Sequence, residues 1–335
     1  MLFDCVAHLT PPSILFKIPH SSDLVRSWAL PRATARRLPA HNGFVSTQAL
    51  SPVDLDRIES ALGWRPTHWA PASGRTGGAT AARLVVSSGD ERAFVKLGTT
   101  ELTAGWFRRE HQNYLTLAGP FLPRLLGFSD DGMVPVLAIE DLSDATWPPP
   151  WDDELIAQVL DAVALVHAHP IPSHLAALTD EYRDDWDRLA SDPQPFLALG
   201  LCSAAWLEHA VPILSAAAWA APLRGSALLH LDIRSDNLCF RDRRAVIIDW
   251  DGPMVGNPDV DIALWLPSLA AEQGPQPEAI LPSSPELAAW TAGYFCARAG
   301  GPPIPEAPHV RPLQLAQART SLPWAARALG LPVPS

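Results

Sequence analysis

The stretch His230-Leu-Asp232-Ile-Arg-Ser-Asp-Asn237-Leu-Cys-Phe240 sets a carboxylate and an amide five residues apart, and Asp249 follows in Ile247-Ile248-Asp249-Trp250-Asp251. Phosphoryl transfer to a hydroxyl calls for such groups. One carboxylate orients the hydroxyl and accepts its proton, oxygen ligands hold Mg²⁺ on the nucleotide phosphates, and a cation keeps the phosphates in line. Asp232 falls in a loop before a strand, and Asp249 ends the strand after it. A tight turn at Arg241-Asp242-Arg243 brings Asn237 and Asp249 to the same end of a hairpin, within reach of one metal. Mg²⁺ is a hard cation that takes oxygen ligands and few protein contacts. Asp and Asn are also common turn formers. The loop alone therefore leaves a plain turn reading open, and the apolar strand ending in Asp249 favours the chemical one.

With Gly256-Asn-Pro-Asp-Val-Asp261-Ile-Ala263 behind them, these blocks resemble in order and type the aminoglycoside phosphotransferase and choline kinase family, which has the protein-kinase-like fold. The likeness covers roughly residues 60–330. It implies Asp232 as the catalytic base, Asn237 and Asp249 as Mg²⁺ ligands, and Asp251 as a nearby second acid. By the same likeness His230 and Asp261 are structural, Asp261 bracing the catalytic loop. The family usually has Gly where this chain has Leu231.

The resemblance also implies a strand lysine on the α/β-phosphates, and Lys96 fits. Only Lys17 and Lys96 among 25 basic residues are lysines. Arg would serve a solvated strand end equally well, whereas Lys is a compact point charge. A helix glutamate should pair with it. Glu110 matches better than Glu101, which sits at a helix start where acids favour the dipole. Small residues before the first strand, Ser73, Gly74, Gly77 and Gly78, would let backbone amides approach phosphates. Glu140-Asp141-Leu142 fits the hinge, with Glu140 and Leu142 binding adenine through backbone groups.

The implied reaction moves the γ-phosphoryl group of ATP or GTP, with Mg²⁺, to a small-molecule hydroxyl. An antibiotic leads as acceptor, and choline, homoserine or a sugar is the alternative. A nucleotide-binding protein of this fold without transferase activity is the reading from another class. A protein kinase is disfavoured because no DFG or APE sequence stands in the expected place.

The elements that must position these residues follow from periodicity. Residues 1–50, with five basic and two acidic side chains and no sustained period, read as a flexible extension. Ser51-Pro-Val-Asp54 opens a helix that Gly63 stops. Arg83–Ser87 and Arg92–Leu97 form a hairpin, Glu101–Leu117 a helix, and Arg124–Phe128 with Val134–Ile139 a second hairpin. After the Pro-rich joint Trp147–Trp151 come helices over Glu154–His167, 180–222 (broken at Pro193, Pro195 and Pro212), Pro285–Ala299 and Arg311–Leu329. The expected fold is α+β and two-lobed: a sheet-rich nucleotide-binding lobe at 51–142, and at 143–335 a helical lobe with the catalytic loop and acceptor site.

Composition narrows the partners. The chain has 335 residues, 47% apolar and 18% charged, with a net charge of −11. That balance disfavours nucleic acid, whose affinity comes mostly from Lys and Arg. Cys5, Cys202, Cys239 and Cys296 are scattered, so a zinc ribbon or disulfide scaffold is not expected and a reducing cytoplasm fits. The longest apolar stretch, Leu201–Leu223, is interrupted by Glu208, His209 and Pro212, so no membrane span is expected. Asp180, Glu181, Asp184, Asp185 and Asp187 form either a solvated helix face or a wall for a cationic acceptor. His167 and His169, two apart on a helix, point away from each other and do not form a metal site.

Overall fold

The computed structural model describes residues 50–72, 81–304 and 307–334. The extension at 1–49 and the small-residue loop at 73–80, including Ser73, Gly74, Gly77 and Gly78, lie outside the described residues.

Helix α1 (Pro52–Leu62) begins where Ser51 accepts a hydrogen bond from the Asp54 amide and ends at Gly63 in the left-handed conformation, φ 77°. A five-stranded antiparallel sheet follows, built from β1 (His68–Pro71), β2 (Ala81–Ser88), β3 (Glu91–Gly98), β4 (Leu125–Ser129) and β5 (Val136–Ile139). Its spatial order is β1-β2-β3-β5-β4. The β2–β3 hairpin pairs Ser88 with Glu91, which sets Arg83 opposite Lys96. Helix α2 (Glu101–Tyr114) is started by a reciprocal Thr100–Thr103 cap and packs its Trp106, Phe107 and Glu110 side inward. It stops at Tyr114, short of Leu117, because the Thr116 and Leu117 amides both turn back to the Asn113 carbonyl. Gly127 lets β4 pass close under α1: a Cβ there would lie 1.8 Å from the Ala61 carbonyl oxygen.

The larger, helical part holds α3 (Asp153–His167), α4 (Asp185–Ser191), α5 (Gln194–Leu197) and α6 (Ala204–Ala220). Two short ribbons interrupt the helices: β6 (Ala227–Leu229) pairs with β9 (Met254–Gly256), and β7 (Leu238–Arg241) pairs with β8 (Arg244–Ile247). Then come α7 (Asp259–Ala271), α8 (Pro277–Ile280), α9 (Pro285–Ala299) and α10 (Val310–Ala328). Helix α9 is the centre of this part, packed on α10, α6 and α4. The expected fold class is the one observed.

Two further expectations fail locally. Pro212 does not break its helix: α6 runs through it, because Leu207, Ala210, Leu214 and Ala218 carry a buried face past it. The Glu208 carbonyl, deprived of its donor, lies on the exposed side where water can satisfy it. Helix α7 has no counterpart among the expected elements. Val260 to Leu269 is buried nearly all round, so no apolar stripe stands out, and Pro267 sits inside it. Cys202, Cys239 and Cys296 are free and buried. Among the described residues no helix is long and apolar enough to cross a membrane.

Candidate active site

The β7–β8 hairpin turns on Asp242 and Arg243, both at positive φ (51° and 58°), the backbone of a two-residue hairpin turn. The Ile248 amide donates to the Asn237 carbonyl at 2.8 Å, so the pairing extends to the hairpin's open end. There Asn237 and Asp249 line one cavity together with Arg83, Lys96, Glu140 and Leu142. The cavity is an open cleft between the sheet and the helical part, with about 870 Å³ of space free of protein atoms, open solvent included.

Lys96 is buried on β3 and donates to both oxygens of Glu110, at 2.8 Å each. It also donates to Asp249. Burial alone pulls the lysine pKa down. Asp249 and then Glu110 more than offset this, and the net shift is upward, so the ammonium is retained. Glu101 is exposed at the start of α2, whereas Glu110, about two and a half turns on, faces the sheet. One turn further, Asn113 donates to the Trp250 carbonyl at 2.6 Å and accepts from His174 at 2.9 Å. A single face of α2 therefore ties the sheet lysine to the strand end that carries Asp249.

The loop is held from below by Asp261, which is fully buried on α7. Its carboxylate accepts from the His230 amide (2.9 Å), the Leu231 amide (2.6 Å) and His167 Nε2 (3.0 Å). His230 Nε2 donates to the Ile248 carbonyl at 3.0 Å, and Nδ1 accepts from the Asp232 amide at 3.2 Å, which fixes one neutral tautomer. Leu231 stands at φ 68° and Asp249 at φ 72°, both left-handed.

Asp232 faces Asn237, which donates its amide to the Asp232 side chain at 2.8 Å and main chain at 2.9 Å. The other carboxylate oxygen accepts from Arg234. Arg234 is buried and also forks onto Asp236 with two bonds of 2.9 Å. Asp251 lies next to Arg109, whose guanidinium is 3.9 Å from its carboxylate. The Glu140 side chain reaches Arg241 at 2.7 Å, tying the end of β5 to the β7–β8 ribbon.

Sequence reasoning did not single out Arg83, Arg234, Asn113, His174 or Glu272, and it considered His167 only as a metal ligand. Only Arg234 stood within the quoted motif, two residues from each of two aspartates. Glu272 sits under the loop, accepting from Ser235 at 2.5 Å and from Trp151 at 2.7 Å. Burial, the largest influence, lifts its carboxyl to about 7 against the lowering effect of those two bonds. The folded protein therefore holds this proton more tightly than the unfolded chain, whose value is 4.5. That stability is complete below about pH 4.5 and is lost as pH rises through 7. Glu272→Gln, which keeps both hydrogen bonds, should flatten this slope and raise the unfolding free energy at pH 8 by up to about 3 kcal/mol, with little change at pH 4.5. Urea unfolding of both proteins at the two pH values measures it, and parallel profiles would mean Glu272 titrates normally.

The acids at 180–187 form neither a plain solvated face nor an open wall. Asp180 pairs with Arg183 (2.9 Å) and Arg224 (2.7 Å). Asp185 is buried between Arg188 and Arg298. Asp187 accepts from Ser215 (2.6 Å) and Trp219 (2.8 Å). His167 and His169 go to different partners, Asp261 and the Ala118 amide; the helix ends at His167, so His169 lies beyond it and not two positions along it as expected.

A two-lobed fold with a buried Lys–Glu pair, an HxD loop and a second Asp at the cleft defines a kinase-like phosphotransferase. The family model described as "Phosphotransferase enzyme family" matches residues 71–299, and the chain belongs to that family. No curated protein matches it in sequence. Among solved structures it is similar to a thermostable mutant of aminoglycoside phosphotransferase APH(4)-Ia in ternary complex with ADP and hygromycin B. That likeness has 16% identity and a TM-score of 0.54, over 82% of this chain and 96% of that one. It is also similar to a choline/ethanolamine kinase family protein from Mesorhizobium loti, with 16% identity and a TM-score of 0.53 over 83% and 98% of the two chains. These likenesses carry the fold, and the family carries the reaction class: a nucleotide-dependent phosphotransferase acting on small-molecule hydroxyls.

Proposed function

We infer that the chain transfers the γ-phosphoryl group of ATP or GTP to the hydroxyl of a small molecule, with Mg²⁺. The observation that carries this reading is the meeting of Lys96, Glu110 and Asp249 in one buried ion cluster on the wall of a cavity that Asn237 also lines. Asp232 lies on the far side of Asn237, where an acceptor hydroxyl would approach. Asn237 and Arg234 fix the plane of its carboxylate, so it can orient that hydroxyl and take its proton. Lys96 holds the α/β-phosphates and Glu110 aims it. Asp251, beside Asp249 in the chain, serves as a second acid, while His230 and Asp261 hold the loop. The small-residue loop with Ser73, Gly74, Gly77 and Gly78 is assigned to the phosphates on sequence alone.

At the hinge, the Glu140 amide donates to Arg124, and the Leu142 carbonyl accepts from Ala145 and Trp147. This leaves the Glu140 carbonyl and the Leu142 amide as the acceptor and donor for an adenine edge. The donor set also suits Mg²⁺, because an amide oxygen and a carboxylate share one cavity. Among the described residues no group of three or more His, Cys, Asp or Glu forms a ready metal cage. A cation held by Asn237 and Asp249 would complete its shell with water and phosphate oxygens, the habit of Mg²⁺. When bound, the ion neutralises charge on the phosphates.

Lys96→Arg should lower nucleotide affinity or turnover at least about tenfold, because the planar fork does not fit a buried slot shaped for an ammonium bonded to both Glu110 oxygens. Titration of nucleotide binding alongside kcat tests it, and wild-type values would remove Lys96 from the phosphates.

An antibiotic hydroxyl heads the acceptor classes. The arginine partners of Asp180 and Asp185 favour a second reading, an alcohol with less positive charge than a polyamine sugar. ADP release across antibiotics, choline, homoserine and sugars separates the two. Tight nucleotide binding with no acceptor-stimulated ADP release would leave a binding protein instead of a transferase.

A further inference from the structure

Arg83 lies on β2 directly across from Lys96, so both side chains leave the same face of the sheet. The two cations share a neighbour: the Arg83 guanidinium carbon is 5.8 Å and the Lys96 ammonium 5.7 Å from the centre of the Phe107 ring. Arg83 is only 8% exposed and lines the same cavity as Lys96, Asn237 and Asp249. Lys96 has two carboxylate partners. Arg83 has no ion pair among the described residues, and its Nη1 is buried without a hydrogen-bond partner among them. Asp249, Glu110 and Asp251 act on it only at a distance, and burial dominates. A buried cation left this way costs several kcal/mol. Two like charges facing one cavity add repulsion, and an anion entering that cavity relieves both.

We propose that Arg83 is a second phosphate-binding residue, placed to grip the nucleotide's phosphate chain beside Lys96. The proposal rests on the nucleotide-site reading above. It gives the site a planar fork in addition to a point charge, a combination suited to two oxygens of one phosphate or to bridging neighbouring phosphates.

The test is calorimetric binding of ADP, a non-hydrolysable ATP analogue and adenosine to the full chain and to Arg83→Met, which keeps length and removes charge. ADP and analogue affinity should fall about ten- to a hundredfold, the range for a lost charge-assisted contact. Adenosine affinity should stay within about twofold, and the salt dependence of ADP binding should become shallower. Without nucleotide, Arg83→Met should melt no lower than wild type, because it removes a buried cation that lacks an ion pair. Unchanged ADP affinity, or an equal loss for adenosine and ADP, overturns the proposal. Should Arg83→Met fail to fold, Arg83→Lys reads the same question: it keeps the charge without the fork, so weakened ADP and unchanged adenosine binding support the proposal and wild-type ADP binding overturns it. A wild-type chain that binds neither adenosine nor ADP would instead sink the nucleotide reading itself.

Discussion

Asp232→Asn should lower kcat by about 10² to 10⁴ and leave nucleotide binding nearly unchanged. Asparagine keeps the shape of the side chain and can still accept from Asn237 or Arg234, so the loop remains anchored through Asp261. What is lost is the group that takes the acceptor proton, and the range is that of a lost general acid or base. The Asp232 side chain is not among those lining the cavity that holds Lys96, Asn237 and Asp249. The affinity for ATP with Mg²⁺ should therefore stay within about threefold, since Asp232 is not itself a proposed phosphate or metal ligand and the asparagine can still accept from Asn237. Steady-state kinetics beside equilibrium binding reads both. A variant that keeps kcat, or that loses nucleotide as it loses turnover, removes Asp232 from the base role.

Asp249→Asn should fail differently. Its carboxylate is both a proposed metal ligand and a partner of the buried Lys96 ammonium. Neutralising it leaves Lys96 with Glu110 alone and removes the charged member of the Asn237–Asp249 pair. Turnover should drop about 10²- to 10³-fold, as expected when electrostatic support for transferring charge is withdrawn. Nucleotide affinity should fall with it, and half-maximal activity should need more Mg²⁺. Raised Mg²⁺ or Mn²⁺ should recover part of the loss. Binding titrations at several metal concentrations, run on both aspartate variants, decide the assignment. If Asp232→Asn shifts the metal requirement and Asp249→Asn does not, base and ligand have been exchanged.

The residues that were legible in the sequence share one property: their chemistry depends on type and local spacing. Lys96 stood out because Arg is otherwise used nearly throughout, and Glu110 through its match to the helix glutamate that the family resemblance implies. Asn237 and Asp249 were paired by a hairpin whose turn could be read. Arg83 was within reach of the same logic. A two-residue turn at Gly89-Asp90 fixes the register and sets residue 83 opposite 96, but an arginine on a strand reads first as solvated. His167 and Asn113 were not legible. Their partners, Asp261 and Trp250, lie 94 and 137 residues away, and no local pattern encodes such contacts. Helix α7 was missed because burial all round erases the stripe that marks a surface helix.

Leu231 ties the loop at His230–Asp232 to the apolar core. Its left-handed backbone is the conformation for which glycine is suited, and a leucine there costs about 1–2 kcal/mol. The Asp261 carboxylate holds the amide in place regardless. The side chain, however, is 3% exposed and belongs to the main apolar core. Exchange for glycine would relieve the strain but forfeit a buried leucine, a loss of about 2–5 kcal/mol on the scale of leucine-to-alanine changes, and would enlarge the freedom of the unfolded chain. The larger loss decides the sign. A substitution at a core position packed on Leu231 therefore reaches the backbone between His230 and Asp232, so the geometry of this loop is set by apolar packing as much as by the Asp261 carboxylate.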